Sequence, residues 1–191
     1  YLPIRKSQYV NVYNSTFSYN LADGFGAGIR NINNITVNMS YFINNHAKGF
    51  GGGFYSYGTS YVYNSYFYNN SAKYSGAVTN YNPGNMTLFN GTFINNTAEH
   101  GGALLNYGNA NITYSNFINN TANLSNGGAI FNENYGSVNI AYSNFTFNNA
   151  TESGGAIYAK NCNITSSTLI NNTAKNGGAI RLLSDSEVNT C

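Results

Sequence analysis

The chain has 191 residues, a net charge of +2 and only 7% charged residues, against about 25% in an average globular protein. That charge is too weak to draw nucleic acid, and no apolar run is long enough to span a membrane. Asparagine is the conspicuous residue, with 38 copies beside 21 glycines and 18 tyrosines. Such a composition suits a disordered chain, but 42% of the residues are hydrophobic and they recur on a period, which excludes disorder. Tyr1 to Val10 lacks the apolar run of a signal peptide, so the chain reads as mature or as a piece of a longer protein. Cys162 and Cys191 are too few for a disulfide framework.

One motif of about 25 residues occurs seven times and is best followed through a single repeat in chain order. It starts with an aliphatic residue: Val12, Val37, Val62, Leu88, Ile112, Ile140 and Ile164. Three residues later stands Ser15, Ser40, Ser65, Gly91, Ser115, Ser143 or Ser167. The anchor follows two residues on, at Phe17, Phe42, Phe67, Phe93, Phe117, Phe145 and Leu169. Three residues beyond it comes Asn20, Asn45, Asn70, Asn96, Asn120, Asn148 and Asn172, and two more bring Ala22, Ala47, Ala72, Ala98, Ala122, Ala150 and Ala174. A glycine block closes the unit. It is Gly-Gly-Ala-Leu from Gly101 and Gly-Gly-Ala-Ile from Gly127, Gly154 and Gly177, with weaker forms from Gly26, Gly51 and Ser75.

A period of this length means one supersecondary unit per repeat, each stacked on the next. Helix formers are sparse and glycine pairs interrupt every potential helix, whereas stretches such as Val138-Asn139-Ile140-Ala141-Tyr142 alternate as strands do. Leucine is too rare for a leucine-rich horseshoe. The expected fold is all-β: a right-handed parallel β-helix, a solenoid of about seven coils with three short strands per coil, forming a single domain over residues 1–191. Coils about 4.8 Å apart would make a rod roughly 34 Å long. Phe and aliphatic columns should fill the interior, the asparagine column should form an amide ladder at a tight turn, and the glycines should mark a corner. Cys162 falls in an aliphatic column with Val138 and Ala110 and reads as a buried free thiol; Val188 is expected to continue that column. Neither end reads as a cap, and Ser186 to Cys191 looks like the start of another coil. Continuation of the chain, or end-to-end or lateral self-association, is therefore expected.

The paired motifs Phe-x-x-Asn and Gly-Gly-Ala-Ile, complete in Phe117–Asn120 with Gly127–Ile130 and in Phe145–Asn148 with Gly154–Ile157, resemble the chlamydial polymorphic membrane protein repeat. The likeness spans essentially the whole sequence, although the first three coils depart in the glycine block and Leu169 replaces Phe in the seventh. Similar repeats occur in adhesin-like surface proteins of methanogenic archaea and of parasitic protists, which this Asn- and Tyr-rich composition resembles more. The resemblance implies a right-handed β-helix, exposure at the cell surface outside the cell, and a role in adhesion. In the bacterial members the helix is the passenger of an autotransporter, and no membrane β-barrel is present in this sequence.

Catalytic chemistry finds little support. The acids Asp23, Glu99, Glu133, Glu152, Asp185 and Glu187 are scattered over different coils, whereas glycoside hydrolysis needs two carboxylates facing one bond. A polysaccharide-degrading enzyme is therefore the weakest reading. His46 and His100 occupy different repeat positions, the glycine runs lack the lysine of a phosphate loop, and no metal or cofactor is implied. Asp23, Lys48, Lys73, Glu99 and Lys175 share one column and read as a solvated turn.

Two surface features suggest recognition. Tyrosines crowd at Tyr55, Tyr57, Tyr61, Tyr63, Tyr66 and Tyr68, and outward positions four before Phe hold Tyr13, Tyr63 and Phe89. Outward aromatics suit sugar stacking or protein contact, so Tyr55, Tyr57, Tyr61, Tyr63, Tyr13 and Phe89 are the candidate ligand-binding residues; their simpler explanation is that Tyr favours strands. Fourteen Asn-x-Ser/Thr sequons suggest a glycoprotein, with candidate acceptors at Asn14, Asn34, Asn85, Asn111, Asn123, Asn144 and Asn163. Asn95, Asn119 and Asn171 are expected to be occluded in the amide ladder region. The leading functional reading is an adhesin that attaches through a lateral face to a host-cell or microbial surface protein or glycan. The alternative is a structural stalk or filament subunit without its own ligand site.

Overall fold

A computed structural model describes residues 9–132, 136–183 and 186–189. Within them the chain winds as a solenoid of short strands, with no helix, and every strand pairs in parallel with its counterpart one coil away. The first coil contributes Tyr9–Tyr13, Thr16–Ser18, Leu21–Ala22 and Ile29–Asn31. Their successors are Asn34–Asn38, Tyr41–Ile43, His46–Ala47 and Phe54–Ser56. Stacking in this way produces four sheets, of eight, seven, six and seven strands among the described residues. In coil order they are called the first to fourth sheets below.

Three strands per coil were expected, and four are found. The extra one is the two-residue strand carrying the alanine column. Two residues are too few for a period-2 pattern to register. A left-handed residue (Tyr19 at φ 57°, Asn44 at 54°, Asn69 at 53°) turns the chain between the Phe strand and the Ala strand, so that what reads as one segment belongs to two sheets.

Register keeps each column intact. Val37 lies opposite Val12 and Val62, and Phe67 lies opposite Phe42 and Phe93. The phenyl rings from Phe17 to Phe145 form one stack, with successive centroids 4.6–5.0 Å apart and planes within 12°. From Phe42 onward these rings are fully buried. Each contributes about 1.5–3 kcal/mol by burial, and each ring pair about 0.5–1.5 kcal/mol more. The last coil corrects one expectation: Val188 lies opposite Ile164, and the Cys162 backbone N–H instead meets the Ser186 hydroxyl. Both columns point inward two residues apart, so alternation alone cannot separate them.

Polar ladders hold the corners. Asn45 Nδ2 donates to the Phe17 carbonyl and to Asn70 Oδ1, and the Asn45 backbone N–H donates to the same oxygen. The pattern repeats to Asn172. The serines add a second ladder, each hydroxyl accepting the backbone N–H one coil earlier, as from Ser40 to Ser65 at 3.2 Å. A third ladder went unnoticed in the sequence: Asn80 donates to Asn106 at 2.7 Å and Asn106 to Asn132 at 2.6 Å. Its signal was available, since each asparagine stands two residues after the aliphatic of the glycine block.

The glycine blocks owe their composition to crowding. The first glycine takes a positive φ, 54° at Gly101, and Ser75 fills that place in the third coil by donating to the Val78 carbonyl. At the second, a Cβ on Gly102 would lie 2.2 Å from the Gly128 carbonyl oxygen.

Candidate binding face

The predicted aromatic group divides between two sheets. Tyr61 and Tyr63 point outward from the first sheet, with their rings stacked at 6.2 Å. Phe89 aligns with Tyr63 one coil on, at 6.4 Å between centroids. Tyr13 shares their column but is separated from Tyr63 by Asn38. Tyr55 and Tyr57 lie elsewhere. Tyr55 belongs to the fourth sheet and is buried, with Phe25 at 5.1 Å and Tyr81 at 5.9 Å. Burial, reinforced by Tyr81, pushes its phenol above the ordinary range. Tyr57 is exposed and stacks on Tyr81, beside a surface groove of about 300 Å³ formed with Ile32, Asn33 and Pro83. Phe50, Tyr74 and His100 continue an outer layer that covers the fourth sheet and leaves Thr79 and Leu105 buried although they point outward.

Tyr61, Tyr63 and Phe89 begin a longer feature. Phe89 meets Tyr114 edge-on at 5.6 Å, and Tyr114 stacks on Tyr142 at 5.1 Å with planes 10° apart. The result is a continuous aromatic ridge over four coils along the corner between the first and second sheets. Phe89, Tyr114 and Tyr142 are 41%, 52% and 55% exposed. Tyr114 and Tyr142 were missed because the ridge changes column: its aromatics stand four before the anchor Phe in the third and fourth coils and three before it in the fifth and sixth. That second column is the turn itself, and Tyr114 and Tyr142 are both left-handed there at φ 52°. Asn14, Asn64 and Asn90 take the same turn in other coils. The left-handed region costs a typical L-residue about 1–2 kcal/mol and is least unfavourable for Gly and Asn. An exposed aromatic at such a turn is thus the less stable choice.

Amide rows flank the ridge. Asn90 donates to Asn64 at 2.9 Å and Asn64 to Asn38 at 3.0 Å. Asn144 donates to Asn116, and Asn139 to Asn111, both at 3.0 Å. Each link uses one of an amide's two hydrogens and one acceptor position on its neighbour, leaving the others for solvent or a ligand.

Charge lies on other faces. Lys48 pairs with Asp23 at 2.6 Å; this contact holds the Asp23 carboxyl below the usual range and raises the Lys48 ammonium. Lys73 sits over the Tyr74 ring at 5.0 Å, and Lys175 lies 3.8 Å from Glu152. A shallow groove of about 390 Å³ runs beside Lys48, Lys73 and Glu99, where His46 Nδ1 lies 2.9 Å from the Ser71 hydroxyl. Among the described residues no three His, Cys, Asp or Glu gather as a metal site; Glu133, Asp185 and Cys191 lie outside those residues. Cys162 is a buried free thiol, and burial pushes its pKa up to about 12.

The sequon asparagines Asn14, Asn85, Asn111, Asn123, Asn144 and Asn163 are exposed, and Asn34 is half-buried. Asn111 and Asn85 lend only their oxygens to the surface amide rows, whereas the Asn144 nitrogen is engaged. Asn95, Asn119 and Asn171 are not in the buried ladder as expected. They are the left-handed residues immediately before it, and Asn119 and Asn171 are exposed.

The Chlamydia polymorphic membrane protein repeat matches this chain at residues 114–133 and 166–182. The chain carries polymorphic-membrane-protein-type repeats. Each matched segment runs from the left-handed turn before the anchor (Tyr114, Ser166) through the glycine block, and so takes in the anchor and the asparagine of the buried amide ladder. No curated protein and no solved structure matches the chain. No helix of the described residues is long and apolar enough to cross a membrane.

Proposed function

We propose that the chain is the adhesin-like part of a surface-associated protein, attaching to a partner on another cell through a lateral face of the solenoid. The observation that carries this reading is the exposed aromatic ridge from Tyr61 to Tyr142. Aromatic side chains give large contact area for little conformational entropy, and they are enriched where proteins bind. The polymorphic-membrane-protein-type repeat supports placement at the cell surface. Exposure of the sequon asparagines is compatible with glycosylation of an exported protein.

The test is saturable binding of the 191-residue chain to cultured host and microbial cells. Its comparator is a variant carrying Phe89→Ser, Tyr114→Asn and Tyr142→Asn, checked for an unchanged circular dichroism spectrum. Binding by the parent that the variant loses supports the reading. Absence of binding by a correctly folded parent would leave a structural stalk as the better account.

A further inference from the structure

We infer that the ridge takes a neutral, linear glycan laid along the solenoid axis, an inference that rests on the attachment reading above. Three observations lead there.

The first is repetition along one direction. Tyr63, Phe89, Tyr114 and Tyr142 supply one ring per coil, with centroids 5.1–6.4 Å apart. A polymer of sugar rings running parallel to the axis can touch one aromatic in each successive coil. A partner crossing the rod would meet only one or two.

The second is the hydrogen-bonding chemistry on either side. Sugar hydroxyls donate and accept at once, and so do primary amides. The row of Asn64 and Asn90 lies beside Tyr63 and Phe89, and the row of Asn111 and Asn139 lies on the opposite side of the ridge in the coils of Tyr114 and Tyr142. All four are exposed, and each pair is held by a bond to its neighbour, so little freedom is lost when a ligand binds.

The third is charge. Residues 34–45, 60–70, 85–96, 109–120, 137–149 and 161–172 make up the first two sheets through six coils, and they contain no Asp, Glu, Lys, Arg or His. A sulfated or uronic polymer, or a highly charged peptide, would find no counter-charge there. The lysines and acids of these coils cluster instead on other faces, where Lys48 pairs with Asp23 and Lys175 lies beside Glu152.

Native affinity electrophoresis of the 191-residue chain tests the inference, with mixed-linkage β-glucan, galactomannan and xylan as neutral probes and heparin as the anionic one. The variants are Tyr114→Asn with Tyr142→Asn, and Asn111→Ala with Asn139→Ala. The first pair installs the residue that the same turn uses at Asn64 and Asn90, so folding is retained. Retardation by a neutral polymer, insensitive to salt and weakened about tenfold or more by either pair, is the expected result. A parallel arm measures attachment to cells before and after periodate oxidation of their glycans, and loss of attachment on oxidation supports the inference. Attachment that survives oxidation overturns the glycan while leaving the adhesin reading intact. Salt-sensitive binding to heparin alone, or dimerisation in the ultracentrifuge that Tyr114→Asn with Tyr142→Asn abolishes, overturns it as well. A chain that binds neither cells nor polymers defeats both readings.

Discussion

Replacing Asn96 with alanine tests whether the buried amide ladder holds the coils together. Asn96 is fully buried. Its Oδ1 accepts the Asn70 backbone N–H at 2.9 Å and Asn70 Nδ2 at 3.1 Å, and its Nδ2 donates to the Phe67 carbonyl and to Asn120 Oδ1, both at 3.0 Å. Truncation leaves the Asn70 N–H without its acceptor and takes a donor from Phe67. Asn120 Oδ1 keeps the Asn96 backbone N–H, and Asn70 Nδ2 keeps the Phe42 carbonyl. Two orphaned groups at about 1–3 kcal/mol each give a loss of about 2–6 kcal/mol. Asn20, in the same column at the first coil, has a side chain with one such bond, to Asn45 at 2.8 Å, and lies only partly buried, so Asn20→Ala should cost about 0.5–1.5 kcal/mol. Urea unfolding of the two variants measures the difference, and native-state hydrogen exchange at the Asn70 amide locates it. Equal losses from the two substitutions, or an unchanged Asn70 protection factor in Asn96→Ala, would refute the reasoning.

Ser60 stands in an interior column opposite Ile35 and Met86, and its buried hydroxyl has no hydrogen-bond partner. Ser60→Ala should raise stability by about 1 kcal/mol, read as a higher urea midpoint. Phe117 lies between Phe93 at 4.6 Å and Phe145 at 4.7 Å, and Phe117→Ala should cost about 3–5 kcal/mol in the same assay. The Cys162 thiol, with its pKa pushed up to about 12, holds its proton more tightly folded than unfolded. Its contribution is therefore complete below the unfolded value of about 8.5 and falls as pH rises toward the folded one. Stability relative to Cys162→Val should drop by about 1 kcal/mol between about pH 8 and 9.5, and a difference that stays flat over this window would contradict the burial.

The scaffold was legible because stacking forces like onto like. Once coils are one register apart, a residue that fits at Phe42 must fit at Phe67, and the column becomes visible as a period. The inward Phe, aliphatic, Asn and Gly columns were all readable for that reason. The third sheet was not, because a two-residue strand such as His46–Ala47 has no alternation to display. The candidate binding face was legible only in part. Tyr61, Tyr63 and Phe89 share a sheet that their alternation reveals, but Tyr55 points outward by the same alternation and is nevertheless buried under Phe25 and Tyr81. Local pattern states which way a side chain points; it does not say whether another layer covers that side.

A stacked repeat also separates what must stay constant from what is free to vary. Inward columns touch their copies above and below, so a departure is felt in three coils. Outward positions alternate with them on the same strands and can change without disturbing the core. The turn before the anchor lies between these cases. Its backbone is left-handed in every coil from Asn14 to Ser166, and asparagine meets that demand at least cost. Met39, Tyr114, Tyr142 and Ser166 depart from asparagine there; Tyr114 and Tyr142 do so in adjacent coils, remain exposed, and stack on each other to extend the line from Phe89. Exposed aromatics also stand at left-handed turns away from the ridge, at Tyr19 and Phe147, so the turn by itself tolerates them. What sets Tyr114 and Tyr142 apart is alignment: they share one turn position in adjacent coils and stack on each other, so each coil adds one ring to the line along the axis.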